Sequence, residues 1–273
     1  MGREGAAVGA TTVVGAPDER CPAALMLFPP AGDDPQAAIR QDLPEGASTR
    51  DAILALTMRE VARVGPASFS TRTVCRMLDL THPIINYHFG SRDALIAEAG
   101  HLLYARLVRL QSAALVDAPP EPLARLRTFV DAGMRLAVEL RGWGAVLNYF
   151  PYYSDTVADA FSASLEEAHL ELYLRHSAVF ARLVFDVWEG TVTHPDPDAP
   201  APTEADALRF AAEHPELSAR LASFQFLLHG LAVWRSGHLP PGGPTPEQAA
   251  ALDAVVAEQV GLVVHAIAAA PPR

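Results

Sequence analysis

The sequence of 273 residues contains no lysine, so all 21 of its basic side chains are arginines. It has two cysteines, Cys21 and Cys75, which excludes a disulfide framework. It also lacks any run of about 18 apolar residues and any apolar core behind Met1–Glu4, so we expect neither a membrane span nor a signal peptide. These absences predict a protein of the reducing cytoplasm.

The charge of the chain is divided unevenly along its length. The 32 acidic residues give a net charge of −11, of which residues 1–48 carry −4, residues 49–98 carry +1 and residues 99–273 carry −8. Only the segment 49–98 is not acidic. Nonspecific attraction to nucleic acid should therefore be weak, and any such contact should be confined to one end of the molecule.

The composition and periodicity predict three regions. Residues 1–48 hold 6 glycines and 6 prolines without sustained periodicity, which is typical of a disordered tail. From residue 49 onward apolar residues recur at helical spacing, interrupted by Pro119-Pro120, by Pro151 and by the run 240–244. We therefore expect an all-α fold, with a small helical domain over 49–98 and a larger one over 99–273.

Within the small domain, residues 70–89 have the pattern of two short helices joined by a tight turn. Ser70 and Thr81 are suitable N-caps, and Pro83 suits the first turn of the second helix. Asp79 lies between the helices, where a residue in the left-handed conformation is often required. This is the layout of a helix-turn-helix, whose second helix lies in the major groove of DNA.

The side chains predicted to face outward carry the chemistry of DNA recognition. Arg72 and Arg92 would position the domain on phosphates, Arg92 being near free amides of a helix that Ser91 opens. His82, Asn86 and Tyr87 would read base edges. The full predicted DNA-binding set is Thr71, Arg72, Thr81, His82, Pro83, Asn86, Tyr87, His88 and Arg92.

The segment from Arg50 to Leu95 resembles the DNA-binding domain of TetR-family transcriptional regulators. The residues that carry the resemblance are Ile53-Leu54, Val61, Gly65, Ser70-Thr71-Arg72, Leu80-Thr81 and the run from Ile85 to Leu95. The sequence departs from that family at Asp79, where glycine is usual, at Asn86, where tyrosine is frequent, and at Arg92, where lysine is common. The resemblance implies a homodimer that binds a palindromic double-stranded DNA operator.

The last two long helices carry apolar stripes with alternating spacings of four and three residues. Such stripes suit a helix pair or a four-helix bundle, although burial within one chain would produce the same periodicity. The resemblance favours dimerisation, because members of the family dimerise through their last two long helices. The predicted interface residues are Leu217, Leu221, Phe224, Leu228, Leu231, Leu252, Val256 and Val263.

The middle helices hold aromatic and histidine residues suited to a small-molecule pocket, which combines an apolar lining with a few polar groups. Packing and surface roles are the common alternative for such residues. The predicted pocket residues are Trp143, Tyr149, His169, Tyr173, His176 and His229. The chemical identity of the effector does not follow from them.

Two Glu-x-x-His pairs, Glu98–His101 and Glu166–His169, form half of the ligand set of a di-metal helical bundle. Because the other ligands are missing, we expect no metal and no cofactor. No nucleophile–base pair, phosphate loop or zinc pattern is present, so we expect no enzyme. The sequence favours a ligand-responsive repressor; the alternatives are a helical-bundle metal-dependent enzyme and a protein-binding module with a vestigial DNA-binding domain.

Overall fold

The computed structural model describes residues 48–139 except 67, 163–194, 202–215, 245–268 and parts of 218–231. Within these ranges the chain forms helices and turns, without a strand. Residues 1–47 of the tail predicted over 1–48 lie outside the described residues, as do six residues predicted for the pocket and the dimer interface: Trp143, Tyr149, His229, Leu217, Phe224 and Leu228.

Eight helices have defined bounds, and the predicted all-α fold is confirmed. They are α1 Thr49–Val64, α2 Thr71–Met77, α3 Pro83–Phe89, α4 Arg92–Val116, α5 Pro122–Glu139, α6 Ala163–Glu189, α7 Glu204–Glu213 and α8 Pro246–Ala268.

Helices α1 to α3 and the first half of α4 enclose the first apolar core. Helix α1 lies at its centre, since every residue from 52 to 62 is buried. Its fully buried side chains include Ile53, Leu56 and Val61, which pack with Val74 of α2 and Ile85 of α3. Each buried methylene stabilises the fold by about 0.8 kcal/mol, so this core is the main source of stability for a domain of short helices.

Helix α4 is long enough to belong to both parts of the molecule. Its first half closes the small domain, and its second half packs on α5 and α6. Gln111 faces Phe129 while Leu115 faces Arg125, so α4 and α5 run antiparallel. His101 faces His169 and Tyr104 faces His176, so α4 and α6 run in the same direction.

The second core lies between α5, α6 and α8. Phe129 stacks on Phe180, and Val260 of α8 is fully buried against them. The opposite side of α8 is exposed although it carries Val255 and Leu262. Its segment Pro246–Ala266 is long and apolar enough to cross a membrane by those two criteria alone, and a single such helix is weak evidence of a span.

Candidate functional site

The turn between α2 and α3 has the backbone that the sequence predicts. Asp79 has a φ of 56°, the left-handed conformation, and is the one non-glycine residue with positive φ in the described part of the chain. The turn is closed by the Leu80 amide, which donates to the Cys75 carbonyl at 2.8 Å. Leu80 packs against the core, as predicted. The predicted two-helix motif is therefore present.

The two helices begin differently from the predicted caps. Ser70 occupies the N-cap position of α2, but its side chain makes no capping hydrogen bond. Helix α3 begins at Pro83, and the residue before it, His82, already has a helical backbone. The chain enters α3 through the Thr81 carbonyl, which accepts from the Ile84 amide at 3.1 Å, rather than through the hydroxyl cap expected at Thr81. Pro83 stands in the first turn, as predicted.

Helix α3 presents its polar side chains to solvent. Ile85 and Phe89 point into the core, while Pro83, Asn86 and Tyr87 are exposed and His88 is half-buried. Tyr87 is 81% exposed, which is unusual for so large a ring and leaves its hydroxyl accessible to a partner. Asn86 and Tyr87, two of the residues predicted to read bases, are thus exposed on one helix.

Thr71 and His82 contact each other across the turn. The Thr71 hydroxyl lies 3.0 Å from His82 Nε2. Thr71 is only 7% exposed, whereas His82 is exposed. Of the two, His82 is the one accessible to a partner, and Thr71 holds its ring in position.

Arg92, expected on a DNA phosphate, is bonded within the domain. Its guanidinium donates to the carbonyl oxygens of Pro66 and Phe69, pairs with Asp93 and lies 5.7 Å from the centre of the Phe69 ring. Ser91 caps α4 as predicted, accepting from the Ala94 amide at 3.0 Å. Arg92 therefore fastens the α1–α2 loop to the start of α4.

Two other arginines of the domain are exposed on α2. Arg72 and Arg76 are four residues apart, on one face of a helix, and neither has an ion-pair partner within the ranges that the structure describes. In a helix-turn-helix the first helix crosses the DNA backbone, where cations are needed. Arg76 was missing from the predicted set; its spacing of four from Arg72 was the signal that could have identified it.

A chain of hydrogen bonds joins α4, α5 and α6 in the body. The Gln111 amide nitrogen donates to the Phe129 carbonyl at 3.0 Å, so the Gln111 Oε1 accepts from His176 Nε2 at 2.7 Å. His176 Nδ1 then accepts from the Tyr104 hydroxyl at 2.8 Å. Burial and the nearby Tyr173 raise the pKa of Tyr104, so its hydroxyl stays protonated and donates. Two of the predicted pocket residues, Tyr173 and His176, thus lie at this chain of hydrogen bonds.

A third predicted pocket residue, His169, contacts His101 of α4. Their Nδ1 atoms are 3.3 Å apart and the rings meet edge to face. Burial lowers the pKa of His101, and burial together with His101 lowers the pKa of His169 to about 4. Both rings are therefore neutral at physiological pH. No group of three histidine, cysteine or carboxylate side chains close enough to hold a metal occurs among the residues that the structure describes.

The predicted interface residues that fall within the described ranges lie mostly against the chain's own second core. Leu221, Leu231 and Val263 pack on its edge, Leu252 is half-buried, and Val256 is only 8% exposed. The exposed apolar residues of α8, Val255 and Leu262, each lie one position before a predicted interface residue, Val256 or Val263.

Comparison with known proteins agrees with this geometry. Residues 53–99 match the family described as bacterial regulatory proteins, tetR family. A TetR family transcriptional regulator, PfmR from Thermus thermophilus, has a similar fold at 18% identity and a TM-score of 0.50, covering 78% of this chain and 97% of its own.

A protein of Pseudomonas aeruginosa assigned as a transcriptional regulator aligns at 20% identity and a TM-score of 0.48, over 85% of this chain and 94% of its own. No curated protein sequence matches significantly. The matched segment 53–99 begins in α1 and ends in α4, and so contains the whole exposed face of the motif. Residues 53–99 are therefore similar to the tetR family of bacterial regulatory proteins, and they contain a helix-turn-helix of the kind that binds DNA.

Proposed function

We propose that the chain is a cytoplasmic repressor that binds a palindromic operator as a homodimer and releases it when a small molecule binds the body. The observation that carries the proposal is the exposed polar face of α3, with Asn86 and Tyr87 at its centre, beside the exposed arginines of α2. The match of residues 53–99 to a family of regulatory proteins also favours this role over catalysis.

Each exposed group has a distinct role in the proposal. Arg72 and Arg76 contact phosphates and set the position of the domain, which requires no sequence information. Asn86 reads a base edge, since its amide can donate and accept in the way that adenine requires. His82 and Tyr87 flank it on the same exposed surface.

The dimer is proposed to form through the exposed side of α8. Val255, Gln259 and Leu262 repeat at spacings of four and three residues, and all three are exposed in the single chain. Exposed valine and leucine side chains on one side of a long helix are typical of an interface, and a second copy supplies the two DNA-binding domains that a palindrome requires. This assignment also accounts for a helix that is apolar enough to resemble a membrane span.

The effector is proposed to act on the polar groups between α4 and α6. Helix α4 continues from this region into the DNA-binding domain. A ligand that binds one arrangement of α4 more tightly therefore shifts the positions of the two DNA-binding domains, one from each chain of the dimer.

Selection of bound duplexes from a random pool tests the proposed function. We expect an inverted repeat whose halves are one helical turn or more apart. Asn86→Ala should change the preferred base at one position of each half, whereas Arg76→Ala should leave the consensus unchanged. If no consensus emerges at low salt, the chain is not a sequence-specific regulator.

A further inference from the structure

The histidine pair between α4 and α6 has the geometry of two ligands of one metal ion. Two imidazole nitrogens bound to a tetrahedral ion at about 2.0–2.1 Å lie about 3.3–3.4 Å from each other. The Nδ1 atoms of His101 and His169 are 3.3 Å apart. We propose that a divalent transition-metal ion of the zinc type binds between them, with Glu98 as third ligand, and regulates this protein.

Glu98 can supply the third ligand only by leaving its present partner, since no group of three such side chains is preformed among the described residues. It lies one turn before His101, on the same side of α4, where residues three apart are neighbours. Its carboxylate now accepts from Arg50 of α1 at 2.6 Å. Histidine, histidine and glutamate with one water is an established zinc ligand set. The ion therefore needs Glu98 to exchange Arg50 for the metal.

Glu166 occupies the equivalent place one turn before His169, yet it is exposed, whereas Glu98 is half-buried between two helices. A carboxylate already removed from water loses less hydration on binding a metal. The structure thus favours Glu98 over Glu166.

The exchange connects the metal to the DNA-binding surface. Besides Glu98, Arg50 contacts Phe89, the last residue of α3, with its guanidinium 5.0 Å from the ring centre. Withdrawing Glu98 removes the anion that holds Arg50 against the end of α3. This step rests on the proposed function: metal should weaken operator binding by about tenfold, and operator should weaken metal binding by the same factor.

Titration of the untagged full-length protein with Zn²⁺ and Co²⁺, followed by calorimetry and by the visible absorption of cobalt, tests the site without DNA. We expect one ion per chain with the spectrum of a tetrahedral site. His101→Asn and His169→Asn should each weaken binding by at least about 100-fold. His265→Asn, which alters an exposed histidine of α8, should change nothing. Absence of binding to the wild-type protein, or equal binding by both pair variants and the wild type, overturns the proposal.

The ligand exchange predicts opposite effects for the two members of the ion pair. Glu98→Gln should weaken metal binding by about tenfold or more, while Arg50→Gln should strengthen it, because Glu98 no longer has to leave a cation. Glu166→Gln is the matched control and should bind as the wild type. If Glu98→Gln and Arg50→Gln change the affinity in the same direction, Glu98 is not a ligand.

The two proposals fail separately. The metal titration contains no DNA, so it reads the site even if no operator exists. Conversely, a protein that binds no metal can still select a palindromic duplex.

Discussion

At the scale of single residues, the arginines of the DNA-binding domain divide into internal and exposed groups. Arg50 and Arg92 are bonded within the domain, whereas Arg72 and Arg76 are exposed together on α2. The sequence could not predict this division, because Arg92 bonds to carbonyl oxygens 23 and 26 residues earlier in the chain. Contacts of that separation leave no local pattern.

The exposed pair should supply the sequence-independent part of DNA affinity. Arg72→Ala and Arg76→Ala should each weaken binding to all duplexes by a similar factor and reduce the slope of log affinity against log salt by about 1. Fluorescence anisotropy at several salt concentrations measures both quantities. Arg63→Ala is the control, since this exposed arginine already pairs with Glu60. An equal loss for Arg63→Ala would point to general charge rather than phosphate contacts.

At the scale of helices, some local signals predicted the ends and others did not. Asp79 in the turn and Pro83 in the first turn of α3 appear as predicted, whereas the hydroxyl caps expected at Ser70 and Thr81 are not made. The pairing of helices was not predictable. His101 and His169 are 68 residues apart, and periodicity shows that each helix has a buried face without showing which helix covers it.

The packing of α4 on α5 depends on a glycine. A Cβ at Gly133 would lie 2.6 Å from the Gln111 amide nitrogen, which donates to the Phe129 carbonyl. Gly133→Ala should displace Gln111 and lower the free energy of unfolding by about 1–2 kcal/mol. In a Gln111→Ala background the same change should be neutral or stabilising, because alanine is favoured in helices. Urea denaturation of the four proteins gives the coupling, and strict additivity would contradict this contact.

The end of α6 depends on a buried carboxylate. Burial alone would raise the pKa of Asp186, but hydrogen bonds from Thr193, Arg182 and Thr191 outweigh it and hold the pKa below its usual value. The Thr193 amide donates at 2.9 Å, and the Asp186 side chain is 1% exposed. These bonds fix the residues that follow α6.

Asp186→Asn should therefore lower the free energy of unfolding by about 2 kcal/mol at neutral pH. A carboxyl whose pKa is depressed in the folded state stabilises the folded state at pH values above its unfolded pKa of about 3.9. This contribution is lost as the pH falls through the folded-state pKa. The difference between variant and wild type should accordingly shrink below about pH 4. Denaturation at neutral and acidic pH measures it; a constant difference would show that the charge of Asp186 is not what matters.

At the scale of the whole molecule, the account requires two copies. Leu262→Arg should place a charge in the proposed α8 interface, giving monomers in sedimentation equilibrium and weakening operator binding by about 100-fold, because both half-sites can no longer be held together. Leu208→Arg is the control, since Leu208 is 65% exposed on a different helix, α7. A wild-type protein that sediments as a monomer at micromolar concentration would contradict this interface.

The central claim is that the exposed face of α3 reads a DNA sequence. The most direct measurement is the affinity of the wild-type protein for a selected duplex and for a scrambled duplex of the same composition, at physiological salt, with the stoichiometry of the complex. We expect two chains per duplex and a preference of about 1,000-fold or more for the selected sequence. Equal affinities for the two duplexes would contradict it.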